Sequence, residues 1–288
     1  MIIRLGKFEA VITLTIVVSI SFIFAICFEG KSVTASTDVN TRPLPIVMYH
    51  HITTNESKSG KYTVTEKEFV SDLEYLKTNG YNSITVADLA DFVNGKNTLP
   101  EKPVMITFDD GFESFYSIAY PRLKQYNMKA VVSVIGSVTE KYSQINDHNI
   151  NYSNLTWTEI NEMHLSGLVE FQNHSYNMHS SEKGQRKGIS RMSGEDADLY
   201  KSRLTEDLLR TQELFSLKCG FRPIAVAYPF GACSKDTTAI IKECGFVCTL
   251  GCEEKINLIS VGNSSCLYNL GRFNRASGVK SEDFFEKI

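Results

Sequence analysis

The sequence predicts an α/β fold, an irregular (β/α) barrel preceded by an N-terminal hydrophobic segment. Three observations predict it. Short apolar runs alternate with helix-patterned stretches between residues 44 and 261, and strands alternating with helices imply a parallel sheet, open or closed. The 253 residues that follow the first 35 suit one α/β barrel and are many for a small sandwich. Finally, His50, Asp109, Asp110, His174 and the turn Tyr228-Pro229-Phe230-Gly231 all fall at the ends of predicted strands. Parallel sheets collect their functional groups there.

The chain opens with Arg4 and Lys7 before an uncharged apolar run over residues 10–28, followed by Val33-Thr34-Ala35. This is the pattern of a signal peptide over 1–35, and the run is also long enough to be an uncleaved membrane anchor. Ile26 argues against lipid attachment at Cys27. The protein is therefore expected to be exported, either secreted or membrane-anchored at the extracellular face. A polar linker over 36–43 then leads into one domain over 44–288. The composition, 42% hydrophobic and 22% charged, is that of a globular protein. Residues 1–35 carry Arg4, Lys7 and Lys31 against Glu9 and Glu29, so removing them from 30 basic and 33 acidic residues leaves a net charge of −4. That mild acidity offers no footprint for nucleic acid. A monomer is expected.

Within the domain, residues 44–49 form an apolar strand ending in His50-His51. Thr65-Glu66-Lys67-Glu68 is a capping box and Val64 with Phe69 a hydrophobic staple, so a helix runs from 66 to about Gly80. A strand over 82–86, a helix over 87–94 closed by Gly95, and a strand over 103–108 follow. Residues 113–126 are helical but broken by Pro121, 129–135 are a β-branched strand, and 137–155 read as a polar loop. Thr156-Trp157-Thr158-Glu159 caps a helix to about Ser166, before a strand over 168–171. Residues 180–194 look like a surface insertion. Tyr200, Leu204, Leu208, Thr211 and Phe215 mark the buried face of a helix over 195–217. Strands over 224–227, 246–250 and 258–261 and a helix over 235–242 complete the alternation.

Six of the seven cysteines lie in the C-terminal third, and in an exported chain their pairing cannot be read from spacing. Cys244, Cys248 and Cys252 recur every four residues, but Gly245 and Gly251 interrupt any helix and no paired knuckle is present, which argues against zinc there. The informative stretch is Val104-Met105-Ile106-Thr107-Phe108-Asp109-Asp110-Gly111, an apolar run that stops on two acids. Adjacent carboxylates at a strand end repel each other, and a metal is their simplest tenant, although Asp-Asp-Gly also suits an ordinary turn. His174 and His179 stand five apart, a spacing that would splay them on a helix and so predicts a strand end followed by a turn. Two imidazoles and a carboxylate suit Zn2+ or another first-row divalent ion.

Thr107-Phe108-Asp109-Asp110-Gly111 together with His174-Ser175-x-x-x-His179 resembles the first two motifs of the NodB-type polysaccharide deacetylases, carbohydrate esterase family 4. The five-residue histidine spacing and Met48-Tyr49-His50-His51-Ile52 are most similar to the poly-N-acetylglucosamine deacetylases of biofilm exopolysaccharide systems. The resemblance implies that residues 44–288 are a deacetylase domain removing N-acetyl groups from poly-N-acetylglucosamine, peptidoglycan or a chitin-like polymer. It also implies that Asp109 is the general base, that Asp110, His174 and His179 hold the metal, with Zn2+ first and Co2+ or Ni2+ as alternatives, and that His50 is the general acid. Pro229 has no N–H, so Phe230 is the candidate backbone donor to the oxyanion.

Two departures from the family pattern stand out. No histidine follows His179, where most of the family places its acid, and Ala227 stands where an arginine usually orients the base. Arg272 or Arg275 is a candidate for that second task, against the ordinary reading of both as surface cations. His148 and His164 read as surface residues. Three alternatives follow: a lapsed carbohydrate-binding protein, an O-acetyl esterase on xylan, and a non-haem iron oxygenase, in which Asp109 would have no role.

Overall fold

The structure, a computed structural model, describes residues 40–288. The expected signal peptide or anchor over 1–35, and the linker up to residue 39, lie outside the described residues. Among the described residues no helix is long and apolar enough to cross a membrane. Along the chain run β1 (Thr41–Leu44), β2 (Ile46–Tyr49), β3 (His51–Thr53), β4 (Thr63–Thr65), α1 (Glu66–Thr78), β5 (Asn82–Ser83), α2 (Val86–Val93), β6 (Pro103–Phe108), α3 (Tyr120–Tyr126), β7 (Ala130–Val134), α4 (Gly136–Ile145), α5 (Trp157–Leu165), β8 (Val169–Asn173), α6 (Ala197–Cys219), β9 (Ala225–Ala227), α7 (Thr237–Glu243), β10 (Cys248–Leu250), β11 (Asn257–Ser260), β12 (Phe273–Asn274) and α8 (Ser281–Phe285).

The main sheet is parallel, in the order β10-β9-β8-β7-β6-β2-β12, with β5 beside β6. Its register brings the strand ends level: Tyr49 lies opposite Phe108, Val134 opposite Asn173, and Asn173 opposite Val226. His50, Asp109 and His174 therefore emerge together at one end. Residues 270–274 close the sheet into an irregular barrel. Leu270 N–H donates to Thr249 O and Arg272 N–H to Glu253 O, each at 2.9 Å, while β12 pairs with β2. Gly271 is essential to that closure, because a Cβ there would lie 2.5 Å from Glu253 O.

All six residues of β6 are buried, as expected of a parallel strand covered on both faces. Alternate residues feed opposite sides. Val104, Ile106 and Phe108 pack with Phe69 and Leu73 of α1 and Ile160 of α5, and Met105 packs with Ile46, Val131, Ala225 and residues of α2. The capping boxes at Thr65/Glu68 and Thr156/Glu159 form as the sequence predicts. A third, Thr85/Asp88, starts α2 and so shortens the expected strand over 82–86 to two residues. Around Pro121, residues Phe115–Ala119 form a wide π-type turn before α3 begins. The buried face of α6 carries Tyr200, Leu204, Leu208, Thr211 and Phe215.

Several expectations need correction. Residues 137–145, expected as loop, belong with Gly136 to α4, whose buried positions are Gly136, Thr139 and Tyr142, a face without aliphatic periodicity. Pro45 interrupts the strand expected from Leu44, and residues 41–43, expected as linker, pair with β11. His164 is half-buried and stacks on Phe221. Arg275 is no surface cation. It is buried, and its Nε and Nη2 bond Asp72 at 2.8 and 3.0 Å. Tyr49 Oη and Ser281 Oγ donate to the same carboxylate, which joins β2, α1 and α8.

Glu68 ties the same region together, accepting from Thr65 N–H and Oγ1, Ser277 Oγ and Gly278 N–H. Burial raises its carboxyl, but those donors outweigh it and hold the group below its usual range. Its folded value is thus lower than its unfolded one, so its contribution is full above about pH 4.5 and vanishes as pH falls through the folded value. Glu68→Gln is expected to cost about 0.5–2 kcal/mol at pH 7. Denaturant titrations at pH 7 and pH 3 check this, and an equal loss at both would rule out the carboxylate as the cause.

Candidate metal and catalytic site

Several chain segments meet at the C-terminal end of the sheet around an open cleft of about 860 Å³. His50, Asp109, Asp110, His174, His179 and Phe230 all line it. The candidate base, acid, oxyanion donor and metal donors singled out in the sequence are therefore brought to one place.

Asp110 leaves β6 in a left-handed backbone, φ 72°, as does Gly111 at 71°. Ser175 and Phe230 share that conformation, at 71° and 57°. Each non-glycine residue so placed costs about 1–2 kcal/mol, and all three flank the cleft. Asn154 Nδ2 donates to Asp110 O at 2.9 Å, and Ser175 N–H to Asn173 Oδ1 at 2.8 Å, which holds two of these turns.

Asp110 Oδ1 is buried and has no hydrogen-bond partner. His174 Nε2 lies 3.4 Å from it and His179 Nε2 3.1 Å, and the two rings are 4.9 Å apart. His174 Nδ1 is 2.9 Å from Ala227 O. A carbonyl only accepts, so Nδ1 carries the hydrogen and Nε2 faces Asp110. Burial raises the Asp110 carboxyl, but the two imidazoles outweigh it and hold it far below the usual range. An ionised oxygen without a donor, faced by two ring nitrogens, fits a divalent cation. Donor separations of 3.1 and 3.4 Å bracket the edge of about 3.3 Å for a tetrahedron with bonds near 2.0–2.1 Å.

The five-residue spacing works because the intervening turn is gripped from α6. Asp207 accepts from Tyr176 N–H at 2.7 Å and Asn177 N–H at 2.8 Å, and Met178 N–H donates to Ser175 Oγ. Nothing in the sequence marks Asp207, a single acid on the buried face of α6.

Asp109 lies outside that donor group. Arg272 reaches it with a two-pronged contact, Nη1 to Oδ1 at 2.8 Å and Nη2 to Oδ2 at 2.7 Å. Arg272 is fully buried, not the surface cation of the alternative reading, and Nε donates to Gly251 O at 2.7 Å. It supplies the cation beside Asp109 that Ala227 does not. Burial raises the Asp109 carboxyl, but Arg272 above all, then His174 and His50, pull it below its usual range. It is ionised at neutral pH.

His50 packs on Tyr62 with ring centroids 4.9 Å apart. Its Nδ1 is buried without a hydrogen-bond partner. Burial lowers its basicity, partly opposed by Asp109 and Asp110. His51 turns instead to Ile150 O, at 2.9 Å, and to the ring of Phe112. The ring of Phe230 stands 4.5 Å from that of His179. The six described cysteines are free.

The sequence profile of the polysaccharide deacetylase family matches residues 96–249, more than half of the chain. A poly-β-1,6-N-acetyl-D-glucosamine N-deacetylase of Staphylococcus aureus (strain MRSA252) is 29% identical over 195 residues, which cover 67% of this chain and 62% of that protein. The match thus spans less than two thirds of that relative's length. The solved structure of IcaB from Ammonifex degensii superposes with a TM-score of 0.67 and 26% identity, covering 81% of this chain and 92% of that one. The Streptococcus pyogenes deacetylase PplD, with a TM-score of 0.69 and 24% identity over 85% of this chain and 97% of that one, shares the fold. The chain belongs to the polysaccharide deacetylase family.

Proposed function

We propose that this member of the polysaccharide deacetylase family is a metal-dependent hydrolase that removes N-acetyl groups from an extracellular N-acetylglucosamine-containing polysaccharide and releases acetate. One juxtaposition carries the reading. A carboxylate locked by Arg272 and outside the donor set, Asp109, faces the same cleft as the three donors Asp110, His174 and His179. Asp110, His174 and His179 would hold a divalent ion, Zn2+ first with Co2+ or Ni2+ as alternatives, which when bound would supply Lewis acidity to water and to an acyl oxygen in the cleft.

The chain's own residues divide the remaining work. Asp109, ionised under the influence of Arg272, takes the proton of the attacking water. The backbone N–H of Phe230, the first donor after Pro229, stabilises negative charge on the acyl oxygen. His50 gives a proton to the amine as the C–N bond breaks, and its burial, which lowers its basicity, makes the protonated ring a stronger acid. The water oxygen leaves in acetate and the sugar keeps a free amine.

The name of the Staphylococcus aureus relative favours poly-β-1,6-N-acetylglucosamine over peptidoglycan and chitin-like polymers. The domain responsible spans 44–288, behind an export segment over 1–35, and acts as a monomer, secreted or anchored to the membrane. The contact of Arg272 with Asp109 weakens the case for a lapsed binding protein, which rested partly on Ala227. Acetate and free-amine release from a panel of these polymers and acetylated xylan, with and without a chelator, tests the proposal. Release from the N-acetylglucosamine polymer, abolished by chelation and restored by Zn2+, is expected. Chelator-resistant turnover would remove the metal from the reading. Release from xylan alone would make the protein an O-esterase, and binding without release a lapsed one.

A further inference from the structure

A second cluster lies outside the cleft, where Glu113, His148 and Glu159 bring three donor atoms within 4.8 Å of one another. Glu113 begins the helical stretch after the Asp109–Gly111 turn, His148 sits in the connection between α4 and α5, and Glu159 is in the first turn of α5. Both acids are buried, Glu113 at 1% exposure and Glu159 at 6%. Each has one oxygen committed. Glu113 Oε1 accepts from Ser117 Oγ at 2.7 Å, and Glu159 Oε2 accepts from Thr156 N–H and Oγ1, each at 2.8 Å.

Their spare oxygens face one ring nitrogen. Glu159 Oε1 is 2.8 Å from His148 Nδ1 and Glu113 Oε2 is 3.6 Å from it. Glu113 Oε2 has no hydrogen-bond partner. His148 Nε2 lies 3.1 Å from Asn146 Oδ1, so Nε2 carries the hydrogen and Nδ1 turns its lone pair on two carboxylates. Such a convergence needs a cation. A proton on Nδ1 satisfies Glu159 but leaves Glu113 Oε2 out of hydrogen-bond reach. One ion bonded to all three atoms satisfies both acids. The separations of 2.8 and 3.6 Å bracket the same tetrahedral edge of about 3.3 Å as the first site. His148, with its side chain 43% exposed, leaves a face open to water as the fourth ligand.

We propose that Glu113, His148 and Glu159 form a second divalent-cation site, structural rather than catalytic. One nitrogen and two oxygen donors suit a first-row ion such as Zn2+ or Mn2+. None of the three residues lines the cleft, but the segment that carries His148 is laced to the catalytic turn. Glu113 N–H donates to Ser153 O and Leu155 N–H to Gly111 O, each at 2.8 Å, and Asn154 holds Asp110 O. The same segment accepts a hydrogen bond from His51 Nε2 at Ile150 O, 2.9 Å away. An ion here pins the connection that backs Asp110.

The test is metal stoichiometry. Tag-free protein is stripped with a chelator, dialysed against Zn2+ and measured by plasma mass spectrometry. Wild type is expected to hold about two equivalents, His148→Gln and Glu113→Gln about one, His179→Ala about one, and the His148→Gln/His179→Ala double variant close to none. Zn2+ should also raise the Tm of His179→Ala but not of the double variant. The proposal is overturned if wild type binds about one equivalent that His148→Gln retains, or if His148→Gln still binds two. One equivalent lost in His148→Gln and kept in His179→Ala would sustain this site and sink the first one, so the two failures are distinguishable.

Discussion

Asp109→Asn is expected to keep a bound divalent ion and to lose roughly 10²–10⁴-fold in kcat, the range typical of a positioned general base. The ion stays because none of its three donors is touched: Asp110, His174 and His179 form the group without Asp109. Turnover falls because the amide has no lone pair basic enough to take a proton from water at neutral pH. The exchange also disturbs Arg272, since an NH2 group replaces one of the two oxygens that its guanidinium contacts at 2.7–2.8 Å. Breaking one partner out of a buried pair costs about 3–5 kcal/mol. The assay must therefore count folded, metal-loaded protein. Plasma mass spectrometry and acetate release on the same sample check the pairing of retained metal with lost turnover. His179→Ala is the contrast, losing metal and activity together. Wild-type acetate release by Asp109→Asn would place the base elsewhere.

The division between what the sequence declared and what it concealed follows from range. β6 was legible because an apolar run interrupted only by Thr107 ends on two acids, and the α6 face because five residues recur at helical spacing. The candidate metal donors were conspicuous because Asp110 and His174 stand at strand ends, which a parallel sheet brings together whatever the loops do, with His179 on the turn that follows β8. Residues that act by distant contacts were harder. Arg272 meets Asp109 across 163 positions, and Arg275 meets Asp72 across 203. Nothing local marks an arginine as buried, and its average habit is exposure. Their common signal was the gap left by Ala227, which asked for a cation without saying which. Asp207 had no such signal, because a helix position that caps a turn from the side looks like any other acid. The helix α4 was hidden for a different reason, since Thr139 and Tyr142 bury a face that hydropathy reads as polar.

Arg272→Ala separates the electrostatic role of that residue from mere packing, because it reverses the sign of one pH dependence, that of stability, and shifts another, that of activity. In the wild type Arg272, helped by His174 and His50, outweighs burial and holds the Asp109 carboxyl below its ordinary value. The folded value then lies under the unfolded one of about 3.9, so the group stabilises the fold above that pH and loses its contribution as pH falls through the folded value. Without the guanidinium the buried carboxyl rises above its unfolded value instead. The native state then binds more protons than the unfolded one, and stability falls as pH rises through the new value. The loss near pH 7 is expected to be about 3–5 kcal/mol, the cost of a buried charge without its partner. Activity follows the same shift: the base is protonated over a wider range, so the acid limb of kcat/KM moves to higher pH. Arg272→Lys keeps the charge but not the two-pronged contact, and should restore most of the acid limb while recovering only part of the stability. Thermal unfolding between pH 4 and 8, with kcat/KM profiles for both variants, reads the two effects apart. An Arg272→Ala profile that superposes on wild type would mean that Asp109 is held ionised by something other than Arg272.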